Sequence, residues 1–369
     1  MTGNAVTLFL CGDVMLGRGV DQVLPHPGDP ALQESYIRDA RAYVELAEAA
    51  NGPIPQPVGP PWPWGNALGV LHEVAPDVRV VNLETSVTTS GAFAVGKEVH
   101  YRMHPENLPS LAAARPDVCA LANNHVPYFG RQGLEETLDA LAGTGLRVAG
   151  AGRSADAARR PAVVDLGGRR VLVFAFGMES SGILPGWAAT EDRPGVAFVP
   201  EPTYEAAAVI TGRIREVRRL GDIVVVSVHW GCNWGYAVGR DQVRFAHALV
   251  DGGVDVVHGH SSHHPRPPEL YRDRLVLYGC GDFIDDYEGI TGYEQFRDDL
   301  RLLYLVTVEP DAARAPGVRI VPMQARRMRL HHASGEDREW LRGTLDRVSR
   351  GFGVRVGLDA DGAMTVRSR

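Results

Sequence analysis

The chain has 369 residues, 44% hydrophobic and 22% charged, a globular composition long enough for one large α/β domain or two ordinary ones. Its net charge of −7 and the lack of any basic block argue against a nucleic-acid partner. No stretch approaches the ~20 apolar residues of a membrane span, and the run Val6-Thr7-Leu8-Phe9-Leu10 is too short and lacks the basic lead of a secretion signal. The expectation is a soluble cytoplasmic protein with no membrane contact. Lys97 is the only lysine, in GAFAVGKEVHYR with no supporting motif, so pyridoxal phosphate is set aside. The four cysteines, Cys11, Cys119, Cys232 and Cys280, are widely spaced and read as reduced, buried strand-end residues.

In chain order, residues 6–10 form a first strand that runs into Cys11-Gly12-Asp13-Val14-Met15-Leu16-Gly17-Arg18. Asp13 therefore lies just past a strand's carboxyl end, with glycines that allow a tight turn and close approach of a ligand; a helix-capping role is the alternative. IRDARAYVELAEAA reads as a helix, and PIPQPVGPPWPWG, with Trp62 and Trp64, as a stiff surface loop in an insertion over about 21–66. That loop is either a substrate wall or packing over one side of a sheet. Val78 to Val81 is a strand ending in Asn82-Leu83-Glu84, and Lys97, His100, Arg102 and His104 follow in a polar loop, an anion-binding patch or a solvated one.

Val118 to Leu121 leads to Ala122-Asn123-Asn124-His125, and Leu134, Leu138 and Leu141 then mark an amphipathic helix. Val171 to Phe176 and Ile223 to Val228 are buried strands, the second ending in His229-Trp230-Gly231-Cys232-Asn233-Trp234. A helix from Asp241 to Val250 precedes the strand Val254 to Val257, which delivers His258, His260, His263 and His264 within seven positions. Leu275 to Tyr278 then ends in Gly279-Cys280-Gly281-Asp282. Strands at 303–308 and 318–321 follow, with a helix and terminal hairpin over about 335–369 around Asp361-Gly362. No repeat or disordered linker interrupts the chain, so residues 1–369 read as one domain.

Alternating strands and helices with polar residues at successive strand ends imply a parallel or mixed sheet with its site along one rim. Asp13, Glu84, Asn124, His125, His229, His260 and Asp282 would converge there. Such a mixed oxygen and imidazole set suits a divalent metal, and its oxygen-rich half favours a hard ion: calcium, alternatively manganese or magnesium.

The ordered series GD, NLE, NNH, HWG, GHSSHHP and YGCGDF resembles the bacterial CapA-like family of poly-γ-glutamate capsule synthesis, over roughly residues 6–310. The resemblance implies an α/β fold of the calcineurin-like metallophosphoesterase type, an αββα sandwich with mixed sheets and the site at the strand ends. Against that pattern Asp13 matches the first aspartate, Glu84 the bridging one, Asn124 and His125 the asparagine-histidine motif, His229 the lone histidine, and His260 with His263 the last motif. Met15 stands where a histidine is usual, and Tyr128 where many relatives carry aspartate, so the ligands of a second metal are incomplete.

One branch of the family, the lasso-peptide epimerases, inverts the Cα of a C-terminal residue on a precursor peptide. The sequence is compatible with that reaction: Asp13, His125, His260 and Asp282 would carry proton transfer, and Asp13, Glu84, Asn124 and His229 would hold the ion. Arg18, Lys97, Arg102, Trp230, Trp234 and His263 would contact the peptide. The alternatives are a dinuclear metallophosphoesterase or amide hydrolase, and a non-catalytic accessory protein of polymer synthesis.

Overall fold

The computed structural model describes residues 5–97, 99–309 and 314–369. In chain order the principal strands are β1 (Val6–Val14), β2 (Val78–Leu83), β3 (Val118–Ala120), β4 (Arg147–Ala149), β5 (Arg170–Met178), β6 (Ile223–His229), β7 (Val256–His260), β8 (Arg274–Leu277), β9 (Asp282–Ile284), β10 (Leu300–Val308) and β11 (Gly317–Ala325). They form two sheets. In the first, β1 to β4 run parallel in the order β1-β2-β3-β4, and the antiparallel strands β10 and β11 extend it beyond β1. In the second, β5-β6-β7-β8 run parallel.

Side-chain alternation decides how the sheets pack, because successive residues of a strand face opposite ways. Val6, Leu8 and Leu10 of β1 meet Val171, Val173 and Ala175 of β5 and Ile223 and Val225 of β6 in a core between the sheets. The alternate residues Phe9 and Cys11 face a second core with Tyr43, Trp64, Leu71 and Leu134. Leu172, Phe174, Val224, Val226 and Val228 face a third, formed with Ile210, Ile214, Phe245 and Leu249. Helices Arg41–Asn51, Ala67–Val74 and Gly130–Thr144 cover the first sheet, and Tyr204–Val217 and Arg240–Asp251 cover the second. Burial on both faces is why these strands read as near-continuous apolar runs. The result is the expected αββα sandwich with mixed sheets.

Two expectations change here. Trp64 is not on a surface loop: its ring is fully buried, 5.9 Å from the Phe283 ring, and its Nε1 donates to the Ser110 carbonyl at 2.8 Å. The proline-rich stretch is packing over one side of the first sheet. The polar loop around Lys97 is not an anion patch either. His100 is buried among Phe93, Tyr128 and Phe129, and Arg102 spends its guanidinium on the carbonyls of Ser90 and Asp29 at 2.8 and 2.5 Å.

Candidate metal centre

The same alternation builds the site. Val225 faces the inter-sheet core, so Ser227 and His229 do as well; Val256 faces it, so His258 and His260 follow. On the opposing sheet Val78 and Val80 face that core, which puts Asn82 and then Glu84 on the same side. Along these strands the second sheet thus supplies His229, His258 and His260, and the first supplies Asn82 and Glu84.

Asp13 alone breaks the alternation. Leu10 is opposite Val80 and Asp13 opposite Asn82, three residues of β1 against two of β2, a β-bulge. Without the extra residue Gly12 would face inward and Asp13 outward. At the bulge β1 also changes neighbour, from β10 up to Cys11 to β9 from Asp13, which brings Asp282 beside Asp13 in register. Gly12 makes this junction possible: a Cβ there would lie 1.6 Å from the Gly281 carbonyl oxygen, the acceptor of the Asp13 amide at 3.0 Å.

Asp13 Oδ1 accepts from Asn82 Nδ2 at 2.7 Å, and Oδ2 from the Ser261 amide at 3.0 Å. Across the gap, His260 Nδ1 lies 3.7 Å from Asp13 Oδ1 and 2.8 Å from His229 Nδ1. Glu84 Oε1 is 3.4 Å from His229 Nε2 and 3.6 Å from His125 Nε2. Asn124 Oδ1 holds His229 Nε2 at 2.8 Å. One donor atom each from Asp13, His229 and His260 lies within 4.8 Å of the others, all three residues buried. Two imidazole nitrogens and a carboxylate converging on one point fit a divalent ion.

The electrostatics follow from burial. It pushes Asp13 up to about 7, with the Asp282 carboxylate adding to the shift and the Asn82 hydrogen bond opposing it. It also raises Glu84, helped by Asp13. Burial pulls His229 down to about 3 and His125 and His260 well below the ordinary imidazole value. His263 goes the other way: burial disfavours its cation, but the Asp282 carboxylate at 3.0 Å outweighs it and raises the imidazole.

Asp13, Glu84, Asn124, His125, His229 and His260 therefore lie together at the strand ends. Asp282 is adjacent, but it holds His263 and is not hydrogen-bonded to His125 or His260. Trp234 packs on His263 with ring centroids 5.3 Å apart and stacks on Tyr293 at 3.9 Å, an aromatic wall beside that pair. Lys97 is more remote: its Nζ donates to the Gly182 carbonyl at 2.7 Å and lies over the Trp187 ring. Arg102 is committed as described above.

Trp230 does not line the site. One residue past the inward His229, it faces the outer helices, against Phe245 and Tyr278, with Nε1 bonded to the Tyr278 carbonyl. Arg18 is likewise committed, in a buried cluster with Asp286, Glu34 and Tyr101, between the rings of Tyr43 and Tyr101. Tyr101 in turn packs edge-on against His125.

Sequence reading missed Asn82, Asn123 and Ser227. Asn123 donates to Asn82 Oδ1 and to the Leu83 carbonyl, tying β3's exit to that of β2. For Asn82 and Ser227 the alternation with Val80 and Val225 was the available signal.

The bacterial capsule synthesis protein model PGA_cap matches residues 7–287. The chain belongs to this family. A probable polyglutamine synthesis accessory protein of Mycobacterium tuberculosis is 54% identical to this PGA_cap member over 99% of this chain and 97% of its own length. The PGA biosynthesis protein CapA of Bacillus subtilis is 28% identical over 82% of this chain and 68% of its own. Among solved structures, a 5'-nucleotidase precursor from Thermus thermophilus aligns over 86% of this chain and 54% of its own, with a TM-score of 0.46 and 16% identity. Among the described residues of this PGA_cap chain, no helix is long and apolar enough to cross a membrane.

Proposed function

We propose that this protein is an accessory factor in the synthesis of a polyglutamate- or polyglutamine-type polymer, and that its strand-end site is a metal centre acting on amide bonds of that polymer. The observation that carries the metal reading is the convergence of Asp13, His229 and His260; the names of the relatives support the polymer. Calcium takes six to eight oxygens, whereas this set is two nitrogens and one oxygen, so manganese, zinc or iron fits better. A divalent ion there would supply Lewis-acid polarisation and an acidified water.

Amide cleavage or transfer needs one proton removed from the nucleophile and one delivered to the departing nitrogen. Two imidazoles beside the donor set suit those tasks. His263 has its Nδ1 held by Asp282 and its Nε2 3.1 Å from the Asn233 amide nitrogen. His125 is buried with Nδ1 free of hydrogen bonds. Cα epimerisation by His125 and His260, oriented by Asp13 and Asp282, has less support, because Asp282 serves His263 and the named relatives belong to polymer synthesis.

The test equilibrates purified protein with manganese, zinc or calcium, counts bound ions, and then follows new amino termini and chain length in poly-γ-glutamate and polyglutamine. Bound manganese or zinc with polymer shortening or transfer, both lost in Asp13→Ala and His229→Ala, is the expected result. Cells that make normal polymer with either variant in place of the native chain would favour the non-catalytic accessory role. Deuterium uptake at a peptide Cα without cleavage would restore the epimerase.

A further inference from the structure

A continuous line of hydrogen bonds runs through the metal centre, and its protons can be assigned from the two ends. At one end His258 Nε2 lies 2.7 Å from the Cys11 carbonyl oxygen, an atom that only accepts. His258 therefore carries its proton on Nε2. The ring is fully buried and its hydrogen-bond partners are a carbonyl and a hydroxyl, with no carboxylate among them, so it is a neutral imidazole. Its Nδ1 is then an acceptor, and Ser227 Oγ is 3.2 Å away.

A hydroxyl has one proton to give. With that proton committed to His258, Ser227 can only accept from His260 Nε2, at 2.8 Å. His260 is thereby protonated on Nε2 and presents a bare Nδ1. At the other end Asn124 gives its amide nitrogen to the Tyr128 hydroxyl at 2.9 Å and turns its carbonyl oxygen to His229 Nε2 at 2.8 Å. His229 then also presents a bare Nδ1. These two nitrogens stand 2.8 Å apart, with Asp13 Oδ1 3.7 Å from one of them.

We propose that Ser227 and His258 are positioning residues which, through the Cys11 carbonyl, set the tautomer of His260 so that its Nδ1 lone pair is aimed with that of His229 at a cation. The inference rests on the metal reading for its purpose and on hydrogen-bond inventory for its content. The alternative tautomer would let His260 Nδ1–H donate to His229 Nδ1 and close the pair on itself. Ser227 and His258 exclude that state, so the fold holds two ligands in their binding form.

Removing the Ser227 hydroxyl frees His260 Nε2 from its acceptor, and the closed tautomer becomes available. Loss of a ligand's outer partner typically costs about 10–100-fold in metal affinity, and Ser227→Ala should bind Mn2+ weaker by that order. Ser227→Thr keeps the hydroxyl and should restore most of it. His258→Gln, whose amide offers one acceptor and one donor, should bind like the native chain, whereas His258→Leu should not.

The experiment pairs Mn2+ titration calorimetry with 15N spectra of the imidazoles in metal-free protein, at neutral pH, after confirming each variant's melting transition. Native His258 and His260 are expected as Nε2–H tautomers, and His260 is expected to move toward Nδ1–H in Ser227→Ala. A native His260 protonated on Nδ1, or a Ser227→Ala variant with native tautomer and native affinity, overturns the proposal. The native tautomer spectrum decides it even if Ser227→Ala does not fold. If the native chain takes up no metal while the tautomers are as assigned, the metal reading fails and the relay stands.

Discussion

Gly12→Ala tests the junction that aims Asp13. The added methyl would lie 1.6 Å from the Gly281 carbonyl oxygen, whereas real Cβ atoms essentially never approach a neighbour closer than 3.0 Å. β1 and β9 must therefore separate by roughly 1.4 Å, the difference between those distances, and both contacting atoms belong to backbone or lie next to it, so no side chain can swing aside. That movement breaks the Asp13 N–H to Gly281 bond of 3.0 Å. Overpacking costs about 1–3 kcal/mol and the lost hydrogen bond about 1 more, so ~3 kcal/mol is expected. With an unfolding entropy of ~2.1 cal/mol/K per residue over 369 residues, the melting temperature should fall by roughly 4 °C.

The functional loss should be larger than the stability loss suggests. Asp13 is the carboxylate of the donor set, and the bulge is what turns it inward, so metal affinity should fall at least as far as in Asp13→Asn. Scanning calorimetry of the metal-free protein and Mn2+ titration of the same samples measure the two effects. A Gly12→Ala protein that melts with the native chain and binds Mn2+ normally would refute the account of the bulge.

Three other perturbations separate structure from chemistry. Trp64→Ala removes a fully buried ring and its bond to Ser110, and should cost about 3–5 kcal/mol in denaturant unfolding while leaving metal stoichiometry unchanged, because Trp64 packs on the outer face of the first sheet. An altered stoichiometry would reinstate the loop as part of the site. Arg18→Ala strands the buried Asp286 and Glu34 carboxylates and should cost about 3–5 kcal/mol; Arg18→Lys should recover little, since a point charge cannot reproduce the guanidinium's bonds to Asp286, Glu34 and Tyr101. His264 gives a pH dependence. Its Nδ1 bonds the Pro265 carbonyl and its Nε2 accepts the Gly235 amide, a neutral ring, and burial pushes it down to about 4 with Arg266 and His263 adding to the shift. Because the folded value lies below the unfolded 6.5, its contribution is whole above pH 6.5 and is lost as pH falls toward 4, at most ~3 kcal/mol. Unfolding free energies at pH 7 and 4.5 should therefore differ less in His264→Gln than in the native chain; an equal difference would contradict it.

The strands were legible because each is apolar on both faces, and their polar exits at Asp13, Glu84, Asn124, His229, His260 and Asp282 stood out against those runs. Alternation along β6 and β7 already puts His229, Ser227, His258 and His260 on one side, and by the same count turns Trp230 away. What the sequence could not hold is whatever depends on strands distant in the chain. The bulge that turns Asp13 inward arises where β9 replaces β10 beside β1. Asp282's choice of His263 depends on where the loop after β7 lays its imidazoles. The His260 tautomer traces back to a Cys11 carbonyl 247 positions from His258. Local periodicity determined which residues reach the rim. Only the packing of two sheets decided which of them meet, because a hydrogen bond or a metal site needs its partners within a few ångströms and sequence spacing sets no such distance.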